Sequence, residues 1–229
     1  MIDEEIPDWL EHIVDDGYDH LGNLEFGALL SFKAGADLSQ IKKPLHVGKV
    51  AFDHSHITDY ALLKLKVEKR SKSINWMFDV CTLDSNLKHG PVIKGFFFYN
   101  MKFEDNSIVK NIQHGGSISF KDCELPVDIK MPENALCLEF TDTNTPDILS
   151  LPKHISTFFL SVNDNRMIPK NIIGILTYPD LKRLTISGEA LGDASRVGRI
   201  IHSAFDDGKD IYSTASWLIE EGFEEWAQL

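Results

Sequence analysis

Cysteine is scarce: the 229 residues hold three, Cys81, Cys123 and Cys137, an odd number with no CxxC spacing. That excludes a disulfide framework and a zinc site built on paired thiolates, so reduced thiols are expected. Positive charge is also short, with 23 Lys and Arg against 35 Asp and Glu for a formal charge of −12. Nucleic acid and anionic membrane are therefore repelled as direct partners, whereas a basic protein is admitted. No apolar run approaches a membrane span, and the opening MIDEEIPDWLEHIVDDG carries acids where a secretory leader carries bases, so a cytoplasmic location is expected. Catalytic signatures are missing as well. There is no GxSxG elbow, no HExxH and no GxGxxG or GxxxxGK[ST] phosphate loop, and the expectation is a chain that is not an enzyme and needs no cofactor.

Weaker chemical signals have plainer readings. His54 and His56 in DHSH are spaced to chelate a metal from one strand face, but they fall at a strand end, where solvated polar residues are usual. Gly115 and Gly116 in QHGGS turn the chain into a strand. The expectation is that no metal is held.

What the chain does have is a repeat. VGKVAFDHSHI, SINWMFDVCTL, IKGFFFYNMKF, GGSISFKDCEL, ALCLEFTDTNT, TFFLSVNDNRM and LKRLTISGEAL share one pattern. Its central apolar pair falls on Val50/Phe52, Trp76/Phe78, Phe96/Phe98, Ile118/Phe120, Leu138/Phe140, Leu160/Val162 and Leu184/Ile186. A later position reads Ser55, Cys81, Met101, Cys123, Thr143, Asn165 and Glu189, and a final one Ile57, Leu83, Phe103, Leu125, Thr145, Met167 and Leu191. Successive segments start 26, 20, 22, 20, 22 and 24 residues apart, and Gly27 to Asp37, with Leu30 and Phe32, reads as an eighth, degenerate copy. Apolar residues two apart among β-branched and aromatic neighbours make a half-buried strand, and recurrence near 22 residues allows one strand per coil.

This pattern resembles the leucine-rich-repeat signature LxxLxLxxN/CxL. Pro132 and Pro152, twenty residues apart in MPENALCLEF and LPKHISTFFLSV, resemble the short bacterial subtype with LPxLP on its convex side. The resemblance spans residues 27 to 191 and implies an α/β fold: a solenoid with a curved parallel sheet, one strand per repeat, in a single domain 1–229. Residues 1–26 and 192–229 are expected to be helical caps. Ile6, Trp9, Leu10, Ile13 and Val14 follow helical spacing with Asp8 as cap. Val197, Ile200, Ile201, Ala204 and Phe205 line one face of a second helix that stops at Gly208, and Ile211, Ala215, Leu218 and Ile219 line a third. Trp217, Phe223 and Trp226 are expected to dock on the last coil.

If the central pair points inward, alternate residues line the exposed concave sheet. The first column then reads Ala51, Met77, Phe97, Ser119, Glu139, Ser161 and Thr185. The second reads Asp53, Asp79, Tyr99, Lys121, Thr141, Asn163 and Ser187, and a third, at the strand ends, includes Asp122, Asp142 and Asp164. Met77, Phe97 and Tyr99 are the residues expected to anchor a partner, with Asp53, Asp79, Asp122, Glu139, Asp142 and Asp164 complementing its Lys or Arg. The expected function is a non-enzymatic protein-binding module, such as an inhibitor or immunity protein that neutralises a basic toxin, or a regulatory adaptor or effector. A right-handed β-helix enzyme acting on polysaccharide is the alternative from another class.

Overall fold

The computed structural model describes residues 10–13, 18–20, 23–24, 29–32, 45–47, 49–67, 75–88, 95–112, 116–189 and 192–228. It is a mixed α/β chain that divides into two compact units, residues 1–116 and 117–229. None of its described helices is long and apolar enough to cross a membrane.

Within the first unit the strands are β1 (Leu10–Ile13), β2 (Tyr18–His20), β3 (Asn23–Leu24), β4 (Leu29–Phe32), β5 (Leu45–Val47), β6 (Lys49–Asp53) and β7 (His56–Ile57). Helix α1 (Asp59–Lys64), β8 (Leu65–Val67), β9 (Asn75–Asp79), β10 (Thr82–Leu83), β11 (Gly95–Tyr99) and α2 (Ser107–Lys110) follow. The strands β4, β6, β9 and β11 pair in parallel in that order, with Leu30 against Val50, Val50 against Trp76 and Trp76 against Phe96. Two short parallel ladders, β5 with β8 and β7 with β10, run elsewhere in the unit. In-register pairing brings like residues together at the strand spacing of about 4.8 Å. Phe52, Phe78 and Phe98 accordingly form a buried ring stack, with centroids 5.0 and 5.1 Å apart. Each such ring contributes roughly 1.5–3 kcal/mol by burial alone.

The helix expected from Ile6 to Val14 does not form. Leu10–Ile13 are strand β1, antiparallel to β4; Ile6, Asp8, Trp9 and Val14 lie outside the described residues. An isolated helix this short is marginal in water, whereas the edge of β4 offers a row of unpaired N–H and C=O groups that a strand satisfies.

The second unit is built on β12 (Ser117–Lys121), β13 (Cys137–Thr141), β14 (Thr157–Val162) and β15 (Arg183–Gly188), followed by α3 (Asp193–Asp206) and α4 (Ile211–Glu220). All four strands are parallel. The matched prolines each start a turn, the N–H of Ala135 donating to Pro132 O at 2.9 Å and that of Ile155 to Pro152 O at 3.3 Å. Both turns tuck an apolar residue, Ala135 or Ile155, into the core before the next strand.

Here the register corrects the sequence alignment. Leu138 and Phe140 pair with Phe158 and Leu160, which in turn pair with Leu184 and Ile186. The alignment had set Leu160 and Val162 at these places, two residues too far along. Phe158, Leu160 and Val162 are all buried, so a two-residue shift keeps every side chain on its own face and alternation cannot detect it. The proline turns decide it: Pro132 and Pro152 are twenty residues apart, and so are the paired Cys137 and Thr157.

Helix α3 buries Ala194, Val197, Ile200, Ile201 and Ala204, while Phe205 is only half-buried. It ends as its sequence predicts. Gly208 has φ +63°, and the N–H of Lys209 reaches Ala204 O at 2.9 Å, closing a Schellman turn. The helix lies against β15 so closely that a Cβ on Gly198 would come within 2.2 Å of Ile186 O. Helix α4 is capped by Asp210, whose carboxylate accepts from the N–H groups of Tyr212 and Ser213, both at 2.9 Å. Thr214, Ala215 and Leu218 are buried, but Ile219, expected on the apolar face, is exposed. Phe223 and Trp226 are buried beside each other, while Trp217 is half-buried under the Lys209 ammonium.

Candidate partner-binding face

A turn repeated at the strand ends sets which residues reach the surface. His54, Val80, Asn100, Asp122 and Asp142 directly follow β6, β9, β11, β12 and β13, and all have φ between +44° and +53°. Four of these residues still extend the ladder through their N–H groups: His54 donates to Asp79 O, Val80 to Tyr99 O, Asp122 to Thr141 O and Asp142 to Ser161 O, at 2.9–3.1 Å. The positive φ then swings the next residue inward, and Ser55, Cys81, Met101, Cys123 and Thr143 are buried. Four of these side chains close the turn by bonding the carbonyl two residues back: Ser55 to Asp53 O, Cys81 to Asp79 O, Cys123 to Lys121 O and Thr143 to Thr141 O. The small polar residues at this repeat position thus pair their own buried hydroxyl or thiol with a strand-end carbonyl and pin the turn.

Burial has a chemical consequence for the thiols. Desolvation pushes Cys81 up to about 11 and also raises Cys137, so neither is a thiolate at neutral pH. His56 is held through both ring nitrogens, by Thr82 Oγ1 and Asp84 Oδ1 at 2.8 Å each, while His54 contacts Asp53. Among the described residues no three His, Cys, Asp or Glu side chains group to hold a metal. Gly116 precedes β12, and Gly115 lies outside the described residues.

On the outward face of the first unit, Met77 and Phe97 are cross-strand partners, as are Asp79 and Tyr99, and Asp53 and Asp79. Met77 is 39% exposed and Phe97 and Tyr99 are partly exposed, their rings near-parallel with centroids 6.5 Å apart. Asp53 is exposed and Asp79 half-buried. Asn100 Nδ2 donates to Asp79 Oδ1 at 3.0 Å and fixes that carboxylate. Ala51, on the same face, is buried.

The second unit carries the remaining predicted residues. Asp122 is exposed at its turn. Glu139 is half-buried on β13, where the Cys137 thiol points at its Oε1 from 3.8 Å. Asp142 accepts from both the backbone N–H and side-chain amide of Asn163, at 2.7 and 2.8 Å. Asp164 does not occupy the strand-end position, because the corrected register puts Val162 beyond Ser161 in that row. Asp164 instead caps a 3-10 turn, Asn165–Met167, and pairs with Arg166 Nη2 at 2.6 Å; that side-chain bond, with the Arg166 N–H, holds its carboxyl below the usual range. The register also brings forward a residue that the sequence columns missed. Phe159, half-buried, sits beside Glu139 on the outward face, where the alignment had Ser161.

Comparison with protein-family models, curated proteins and solved structures finds no match for this chain.

Proposed function

We propose that the chain is a divergent leucine-rich-repeat solenoid with terminal caps that binds another protein through the exposed face of its parallel strands. The observation that carries this reading is the apolar trio Met77, Phe97 and Tyr99 on outward positions of β9 and β11, beside the carboxylates of Asp53 and Asp79. The core is already complete beneath these strands, since Trp76, Phe78, Phe96 and Phe98 fill the inward positions. Packing does not require large apolar side chains on the outer positions. Aromatic and Met side chains with flanking charge are the composition of an interface centre and its rim. On the second unit Phe159, Glu139, Asp122 and Asp142 extend the same composition, whereas Asp164 is neutralised within the chain by Arg166. An acidic, stand-alone binder of this kind suits an inhibitor of a basic protein, such as a toxin, or an adaptor in the same compartment.

The test is affinity capture from the native host with the wild-type chain, a Phe97→Ala/Tyr99→Ala variant and a Met77→Ala variant. A partner retained by the wild type and lost with the face variants supports the reading. Equal retention by all three moves the interface elsewhere. One observation favours the β-helix alternative: β5–β8 and β7–β10 add further parallel ladders beside the main sheet of the first unit. Those ladders are three and two residues long, and binding of oligosaccharides, not protein, would be the result that selects it.

A further inference from the structure

We infer that the outward face of β9 and β11 receives an arginine side chain of the partner, its guanidinium plane against Phe97 and Tyr99 and its N–H groups on Asp79 and Asp53. This rests on the reading of that face as the partner-binding surface and names the chemistry it selects.

The argument begins with an arrangement that costs stability. Asp53 and Asp79 are register partners on neighbouring parallel strands, and like charges directly opposite one another are unfavourable. The strands β6, β9 and β11 hold one basic residue in their sequences, Lys49, four positions before Asp53 and so about 13 Å along the strand. His54 Nδ1 contacts Asp53 Oδ1 and leaves Oδ2 without a donor among the described residues. Asn100 holds one oxygen of Asp79 and leaves the other without a donor among the described residues. A cation from outside completes the pair.

The neighbours decide which cation. Phe97 and Tyr99 present near-parallel rings, 15° apart in plane, within the same patch as the two carboxylates. An ammonium can approach a carboxylate equally well, but only guanidinium is flat enough to lie on a ring face while donating along its edge to a carboxylate. Met77, 39% exposed on the adjoining strand, supplies a pliable apolar wall for the arginine stem.

The experiment uses two peptides carrying fluorescein on the N-terminal amine, fluorescein-Gly-Arg-Gly-Arg-Gly-amide and its lysine counterpart, titrated against the full chain by fluorescence anisotropy at low and moderate salt. The wild type is expected to bind the arginine peptide about fivefold more tightly than the lysine peptide. Phe97→Ala with Tyr99→Ala should erase that preference. Asp53→Asn with Asp79→Asn should weaken both peptides, while Asp128→Asn with Glu133→Gln, an equal charge change at exposed positions of the second unit, should leave both unchanged. If the alanine pair fails to fold, Phe97→Leu with Tyr99→Leu keeps apolar volume and removes the ring faces. The inference is overturned by equal binding of the two peptides, by a preference that survives loss of both rings, by an equal effect of the control pair, or by no binding at millimolar peptide. Failure here, with partner capture still dependent on Phe97 and Tyr99, removes the arginine alone; loss of that dependence removes the face as well.

Discussion

Replacing Gly198 by alanine is ordinarily a stabilising change, because alanine in a helix interior is favoured over glycine by about 0.8–1.0 kcal/mol. In this chain the sign should reverse. The new Cβ would lie 2.2 Å from the carbonyl oxygen of Ile186 and 2.9 Å from its carbon, both backbone atoms of β15. An ordinary carbon–oxygen contact is about 1 Å longer, so α3 must retreat from the strand over which Ala194, Val197, Ile201 and Ala204 are buried. Overpacking of a filled core costs typically about 1–3 kcal/mol even when a side chain can give way, and here only backbone can move. Setting the propensity gain against a penalty at or above the top of that range leaves a net loss of about 2 kcal/mol. Urea unfolding followed by tryptophan fluorescence measures it, with amide exchange in α3 and β15 as the local readout. Arg199→Ala, an exposed change one residue away, should stay within about 0.5 kcal/mol of wild type. A Gly198→Ala protein as stable as wild type, with unchanged exchange in β15, would refute the close seating of α3.

Val80 has φ +49°, a conformation that β-branched residues resist, while Asn100 holds the same φ one strand on; Val80→Asn should therefore stabilise by about 1 kcal/mol in thermal or urea unfolding, and a loss would be contrary. Thr145 buries a hydroxyl oxygen without a partner among the described residues, and Thr145→Val should gain about 1 kcal/mol by removing it. With its thiol pushed up to about 11 by burial, Cys81 should react with iodoacetamide at pH 8 about a hundredfold more slowly in the native chain than in urea, as read by peptide mass mapping. The N–H and hydroxyl of Ser213, with the N–H of Tyr212, hold the Asp210 carboxyl below its ordinary 3.8. Its folded value being the lower one, the cap's stabilisation is present above that pH and lost as pH falls through the folded value. The melting-temperature gap between wild type and Asp210→Ala should hold steady from pH 5 to 8 and shrink below about pH 4.

Facing was legible in the sequence wherever period-two alternation was bounded by a turn. The inward pairs from Val50/Phe52 to Leu184/Ile186 are all buried, because exposing a phenylalanine row would forfeit burial at every strand. The turning positions Ser55, Cys81, Cys123 and Thr143 were legible for a related reason: a small polar side chain there sits inside and reaches the carbonyl two residues back. Register was harder. TFFLSV has three inward apolar positions, so its alternation fits two pairings equally, and the matched prolines held the signal that would have placed Phe159 on the face. The first strand was hidden because LEHI says nothing of the open edge of β4 that recruits it. Asp164 was misplaced with its register, yet Arg166 two residues on was a visible hint that its charge is spent locally.

The strand-end turns also separate what the core demands from what it leaves free. Each one carries the ladder one residue past the strand and then sends the chain inside, so the outward residues of β6, β9 and β11 answer to no packing requirement of the buried rings below them. A neutral face would carry Thr, Ser or Lys there, as β12 and β15 largely do with Ser117, Ser119, Lys121, Arg183, Thr185 and Ser187. The first unit instead exposes Met77, Phe97 and Tyr99 and sets Asp53 against Asp79, choices that lower stability and solubility in the isolated chain. Asn100 and His54 each contact one oxygen of these carboxylates but bring no permanent partner for the pair, and local choices that oppose folding are the ones a binding role would explain. In this chain those choices fall together on three adjacent strands, which is why the proposed binding face is placed there and not at Val127 or Leu149, exposed on the second unit.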